Sequence, residues 1–452
     1  MKAIPEQPEW DALGVPARAA TWSALPTAAQ QRLTRETPER VAHVDGLPVD
    51  VRDEANRRIL AQRSDQILTE TAKALEEIGP GARIDKAAEL SALRHVLDSP
   101  VESRDGSACW GLRPQLLEFD DQKHHVVVGL GDLVHADLTI VFLPGMGTTV
   151  NDVGTWLERV RDTIDEIHRH DPSVAAAGVY WQGYDPPHGP LAAASAGRAI
   201  AAAEPLAEFV EGLRFHMRPD ARLDIEAHSY GCRVFGEALT HHHLAAHADR
   251  FIINANPGLG IPDPAQLGVD PGRMAACTVP GDVIELTGLL RYLDYTPGPD
   301  PRYQLDDSGV LHPTERWFGP DPGSSGWIQS LPTGTHPGQD SEQLHSACFE
   351  AGSLELTSRA LFHLEREAEA FSSNLVELFP IVPGPSIPDL TTRDFEDRAL
   401  HHEFFEPYSR NPFTYHPPEP SWPAPAPPVT DVPHPPEPQW CPAAPSAQHT
   451  QV

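Results

Sequence analysis

The stretch Arg222-Leu223-Asp224-Ile225-Glu226-Ala227-His228-Ser229-Tyr230-Gly231-Cys232 decides how the chain is read. A strand over Arg222 to Ala227 runs into Ala-His-Ser-Tyr-Gly. A helix over Cys232 to His242 then begins, with Val234, Phe235, Ala238 and Leu239 facing inward. Small residues two before and two after a serine permit a sharp strand-to-helix turn that lifts the hydroxyl above a sheet, a nucleophile elbow. The pentapeptide spacing alone also fits a helix-capping Ser229. The neighbouring sequence has to decide between the two.

Outward from this point the hydrophobic period alternates between extended and helical runs. His125 to Leu130 and Leu138 to Leu143 read as strands, the second nearly continuous in apolar residues and therefore central. A helix follows with Val153, Trp156, Leu157, Val160, Ile164 and Ile167 on one face. Val174 to Trp181 reads as a strand, Ala193 to Phe215 as a long crossover helix, Phe251 to Ala255 and Ala275 to Val279 as strands, and Leu354 to Leu378 as a final helix. Alternation of this kind implies a mostly parallel sheet covered on both faces, an α/β fold. Upstream, Val51, Ala55 and Ile59 recur at i+4, and Ala87, Leu90, Leu93 and Leu97 form an apolar stripe, so the N-terminal region is α-helical. Beyond Pro380 the composition collapses into proline with Ala, Glu and Ser, which supports neither helix nor ladder. The expected division is residues 1–115 helical, 116–379 α/β and 380–452 a disordered tail. Pro423 to Pro428 in that tail offers a polyproline ligand to a protein partner, or serves only solubility.

Composition narrows the partners. Of 452 residues, 34 are Lys or Arg and 65 Asp or Glu, a net charge of −31 that repels phosphate backbones and anionic lipid. Nucleic acid and membrane surfaces are set aside. Five scattered cysteines form neither a zinc pattern nor a disulfide scaffold, which points to a reducing compartment. The start Met1-Lys2-Ala3-Ile4-Pro5-Glu6 has no apolar core of an export signal, and no membrane span is visible, so a cytoplasmic location is expected.

The strand Leu138 to Leu143 ends in Pro144-Gly145-Met146-Gly147-Thr148-Thr149. In folds built around such an elbow, this loop donates one backbone N–H to an oxyanion and the residue after the nucleophile donates the other, which assigns Met146 and Tyr230. The two glycines also fit an ordinary loop. The chain order is serine, acid, histidine. Asp282 in Val279-Pro280-Gly281-Asp282 follows a late strand and is the best-placed acid, although a turn-making Asp fits there too, and Asp294 and Asp300 are weaker alternatives. His345, just before the last long helix, is the expected base, ahead of His336 and His312. The cluster His241-His242-His243 with His247 lacks the carboxylate of a metal motif and reads as a solvated helix end. Gly129-Leu130-Gly131-Asp132 lacks the third glycine of a dinucleotide fingerprint and reads as a turn. No metal or cofactor is implied.

With these residues in place, the sequence from about Trp22 to Phe371 resembles a family of α/β-hydrolases first catalogued as a domain of unknown function in high-GC Gram-positive bacteria. The resemblance is carried by the run from Glu36 to Arg57, Phe142 to Thr148, Trp181 to Asp185, Ala227 to Gly231, Asn256 to Gly258, Pro280 to Asp282, Gly298 to Pro301, and His345-Ser346 with Ala351 to Ser353. Two positions depart from the family: Ala227 replaces its usual glycine, and Cys232 replaces a small hydroxyl residue. The resemblance implies a serine-hydrolase fold with Ser229, Asp282 and His345 as its triad, and leaves the substrate open. The expected function is cleavage of a small acyl ester. Acyl transfer by the same residues, or a catalytically silent binding protein, are the alternatives.

Overall fold

The computed structural model describes residues 9–78, 85–104, 113–193, 195–261, 264–284, 303–305, 311–313, 322–323 and 326–366. All of them belong to the first of the two units into which the chain divides, Met1–Pro388 and Asp389–Val452. The proline-rich tail expected over 380–452 lies outside the described residues.

The N-terminal region is helical: α1 Val15–Ala24, α2 Thr27–Glu36, α3 Val49–Ile78 and α4 Asp85–Asp98. Trp10, Trp22, Leu33, Val41, Leu47 and Ala55 form a core of their own there. The α/β part then runs β1 Gln115–Asp120, β2 His125–Leu130, β3 Leu138–Leu143, α5 Val153–His170, β4 Ala176–Gln182, α6 Pro190–Ala193, α7 Gly197–His216, β5 Arg222–His228, α8 Tyr230–His241, β6 Phe251–Asn254 and β7 Met274–Cys277. It continues through a separate two-stranded pair, β8 Tyr303–Leu305 with β9 Leu311–Pro313, then β10 Gln329–Ser330, α9 Ser341–Leu344 and α10 Leu354–His363.

The main sheet has the order β1-β2-β4-β3-β5-β6-β7-β10. From β4 to β10 it is parallel, and β1 and β2 add an antiparallel edge. Every residue of β3 is buried, as its unbroken apolar run requires for a strand covered on both faces. One apolar cluster joins β3 and β5 to α7 and α8, and the other joins the opposite sheet face to α4 and α5. Chain order reverses around β3, which has β4 on one side and β5 on the other. The crevice at the carboxyl ends of those strands is where such sheets place ligands.

Two expected helices differ in extent. The crossover expected over Ala193 to Phe215 is split into α6 and α7 because the Tyr230 hydroxyl enters the would-be i→i−4 bond. It donates to Ser195 O (2.7 Å) and accepts from the Ala199 N–H (3.2 Å). Of the final helix expected over Leu354 to Leu378, α10 ends at His363, and residues 367–378 lie outside the described residues. Glu365 takes a left-handed φ of 59°, and the Arg366 and Glu365 amides donate to Leu361 O and Phe362 O, a Schellman cap without its usual glycine. The edge strand β1 was also not expected as a separate element.

That edge is completed by side chains. A bulge at Leu117 interrupts its pairing with β2, and the Leu117 carbonyl accepts from Arg52 Nε (3.1 Å) and Asn56 Nδ2 (2.9 Å) on α3. Asn56 Oδ1 accepts the Phe119 N–H (3.0 Å) and Asp53 Oδ1 the Leu116 N–H (2.6 Å). Arg52 is further paired with Asp45 at 2.6 Å. Burial, working against that pair, raises the Asp45 carboxyl to about 6. Replacing the fully buried Asn56 by alanine strands the Phe119 amide and removes the donor to three backbone carbonyls, of Ala42, Arg52 and Leu117. We expect a loss of roughly 2–4 kcal/mol in chemical denaturation, whereas an Arg35→Ala change at the exposed Arg35–Glu54 pair should cost less than about 0.5 kcal/mol.

Candidate active site

β5 delivers Ser229 to the carboxyl end of the sheet, and the turn into α8 forces Ser229 to φ 53° and ψ −126°. Backbone in that region is costly for a residue with a β-carbon and persists only where its surroundings impose it. Ser229 stands at the N-cap of α8 but makes no capping bond, so the helix-capping reading does not hold. The need for small neighbours is steric. A β-carbon on Gly231 would lie 2.6 Å from Pro144 O and 2.9 Å from Leu143 O, and one on Gly145 would lie 2.6 Å from Ser229 Cβ and 3.1 Å from its Oγ. The pairing of Leu143 with Ala227 in the β3–β5 ladder sets this approach. Ala227 itself is accommodated in the core between the sheet and α8.

The loop after β3 thus lies directly against the serine, and three hydrogen bonds hold it there. Tyr184 OH donates to Pro144 O (2.7 Å), Thr148 Oγ1 to Gly145 O (3.0 Å), and the Gly147 amide, at φ 78°, to Pro187 O (2.9 Å). Tyr184 also stacks on Tyr230. Burial holds the Tyr184 phenol well above its ordinary range and pushes that of Tyr230 up to about 12, so both remain neutral donors. The Tyr230 amide opens α8 and is one of the helix N-terminal N–H groups without an intrahelical acceptor. The Met146 N–H makes no backbone bond among the described residues.

Asp282 lies five residues beyond β7 with its carboxylate fully buried. Its Oδ1 accepts from His345 Nδ1 at 2.7 Å and from the Ile284 amide at 2.8 Å. Because the carboxylate accepts, the His345 proton sits on Nδ1. His345 follows α9 and is the more exposed partner, at 20% of its side chain. His336 is not joined to this pair: its ring nitrogens face Glu350 (3.2 Å) and Glu355 (3.1 Å). Asp294 and Asp300 lie outside the described residues, and His312 falls on β9. The helix α8 ends at His241, and His243 adopts a left-handed φ of 55°, so His243 and His247 are not one helical turn apart. Gly131, at φ 94°, turns the chain out of β2.

The sequence reading missed what lies on the second face of β5. Asp224 and Glu226 are fully buried there, and His363 of α10 bridges them, Nδ1 to Asp224 and Nε2 to Glu226, each at 2.8 Å. Arg359 pairs with Glu226 at 2.8 Å and also donates to Thr163 Oγ1 and to Cys348 O. Burial alone would raise the Glu226 carboxyl, yet Arg359 and His363 take it down to about 2. Burial alone would lower His363, yet its two carboxylate partners raise it. Glu226 further accepts from Asn254 Nδ2 (3.0 Å), whose own carbonyl accepts the Ser229 amide (3.0 Å), so the network reaches the elbow. The available signal was three polar residues, at 224, 226 and 228, facing the same way on a strand that the fold buries.

Residues 120–291 match the family model described as alpha/beta hydrolase. This part of the chain has the α/β-hydrolase fold. Over 304 residues, 61% of the chain, it is 25% identical to uncharacterized proteins of two Mycobacterium tuberculosis strains, CDC 1551 and H37Rv, and it spans 45% of their length. Among solved structures, an esterase of Pyrobaculum calidifontis is 12% identical with a TM-score of 0.26, covering 46% of this chain and 78% of that one. An epoxide hydrolase of Vigna radiata is 14% identical with a TM-score of 0.20, covering 64% and 85%. Among the described residues no helix is long and apolar enough to cross a membrane.

The buried network gives the protein a pH-dependent stability of predictable sign. The raised folded pKa of His363 means its contribution is full below about pH 6.5 and fades as pH rises through the folded value. The depressed Glu226 contributes above about pH 4.5 and is lost as pH falls toward 2. The stability gap between wild type and His363→Gln, measured by urea unfolding, should therefore be widest between about pH 5 and 6.5 and shrink on the alkaline side. Glu226→Gln, which leaves Arg359 buried without its charge partner, should cost about 3–5 kcal/mol.

Proposed function

We propose that the protein is an α/β-hydrolase of the serine type that cleaves a carboxylic ester of a small-molecule substrate through an acyl-enzyme. Ser229 Oγ attacks the carbonyl carbon, and the second ring nitrogen of His345, Nε2, takes its proton. The oxyanion is received by the N–H groups of Met146 and Tyr230. Collapse expels the alcohol, which takes the proton from His345, and water then frees the acyl group from Ser229 by the same steps in reverse order.

The observation that carries this reading is the 2.7 Å bond from a fully buried Asp282 carboxylate to His345 Nδ1. A carboxylate sealed from water against one imidazole is suited to fixing the tautomer and to stabilising the imidazolium that forms during attack. The strained Ser229 backbone and the glycine pressed against its side chain are what a poised nucleophile needs. Among the described residues Cys232, Cys277 and Cys348 form no disulfide, which accords with a reducing, cytoplasmic setting. The three-part division at residues 115 and 379 belongs to the same proposal.

A fluorophosphonate probe should label the wild type and leave Ser229→Ala unlabelled; equal labelling of both would refute the assignment. Asp282→Asn should reduce kcat on a short nitrophenyl ester by about 10³–10⁴-fold with little change in melting temperature. Adding competing alcohols to the same assay separates hydrolysis from acyl transfer.

A further inference from the structure

His228 immediately precedes the proposed nucleophile, and its ring is buried against Trp156 and Phe349, with centroids at 6.1 and 5.3 Å. It also lies 4.8 Å from the ring of His345. Its Nε2 is 2.7 Å from the backbone oxygen of His345. A carbonyl only accepts, so Nε2 carries a proton. Burial holds His228 well below the ordinary imidazole range. The charges facing it from neighbouring elements, the His345 ring on the loop, Arg159 on α5 and Arg359 on α10, push the same way, and only its bond to the His345 backbone opposes them.

We propose that His228 is a positioning residue that fixes the base relative to the nucleophile, by tying the His345 backbone to the residue adjoining Ser229. The inference rests on the Ser229–His345–Asp282 reading above. Those two functional residues are 345 − 229 = 116 positions apart, and this single bond shortens the mechanical path between them to one side chain. Other bonds fasten the same loop further along: Arg159 to Ser346 Oγ at 3.2 Å and Arg359 to Cys348 O. His228 alone holds the carbonyl of the base itself among the described residues. A neutral group suits this place, because a second cation 4.8 Å away would oppose the charge that His345 acquires when it takes the serine proton.

The test compares His228→Leu, which cannot donate, with His228→Gln, whose amide can. With a short nitrophenyl ester, the leucine variant should lose about 10- to 100-fold in kcat with KM within about twofold, and the glutamine variant should recover most of that loss. In ¹⁵N-histidine-labelled protein, the downfield His345 Nδ1–H resonance should broaden or vanish in the leucine variant and persist in the glutamine one. If the leucine variant does not fold, His228→Asn, polar but too short to reach, takes its place. A leucine variant with wild-type kcat and resonance would overturn the proposal. So would a glutamine variant as impaired as leucine at equal melting temperature. If the wild type is neither labelled by fluorophosphonate nor active, the Ser229 reading fails by itself, and the resonance comparison still decides whether His228 positions His345.

Discussion

A central strand can be buried with charges on one face only if charges of opposite sign arrive from the layer above it. β5 meets that condition with Asp224 and Glu226, and α10 answers with Arg359 and His363. Desolvating two carboxylates costs several kcal/mol each unless every lone pair finds a partner, and here the pairing is nearly complete, with Asp224 Oδ1 left over. The arrangement does more than neutralise charge. Arg359 also holds the Cys348 carbonyl, and Asn254 passes from Glu226 to the Ser229 amide, so the helix, the loop bearing His345 and the elbow share one set of bonds. Such a network specifies a single register of α10 on the sheet, because sliding the helix by one turn would leave buried charges unpaired.

On the other face of the same strand, the fit is steric. Gly145 and Gly231 let the β3 loop and the start of α8 approach to distances that a methyl group would forbid. Tyr184 and Tyr230, stacked together, bind that arrangement to the split between α6 and α7. The strain at Ser229 is thus held in place from both sides of the sheet, by ion pairs on one side and by close packing on the other.

Much of this was legible from the chain. The apolar run of β3, the alternation of strands and helices, and the small residues flanking Ser229 each have a local physical cause, and the structure follows them. Asp282 and His345 could be ranked from their places in chain order, since one follows a late strand and the other precedes a helix. Other features depended on partners distant in sequence. Glu365 gives no sign that it will cap a helix: its left-handed φ shows only in the structure, together with the bonds that the Glu365 and Arg366 amides make to the last turn. The break before α7 depends on a hydroxyl some 30 positions downstream. The polar side chains of β5 hinted at a buried network, but its cations lie more than 130 residues further on and could not be paired with them by pattern alone.

The helical region at the amino end has a bearing on how copies of the molecule meet. Because Arg52, Asp53 and Asn56 occupy the outward amides and carbonyls of β1, no strand from a neighbouring molecule can dock along that rim without first evicting α3. The opposite rim, β10, is only two residues long and offers little to zip onto. Among the described residues, lateral fusion of sheets is thereby discouraged at both borders. The helices ahead of the sheet are therefore not a detachable appendage: cutting them away would bare a row of unpaired backbone groups.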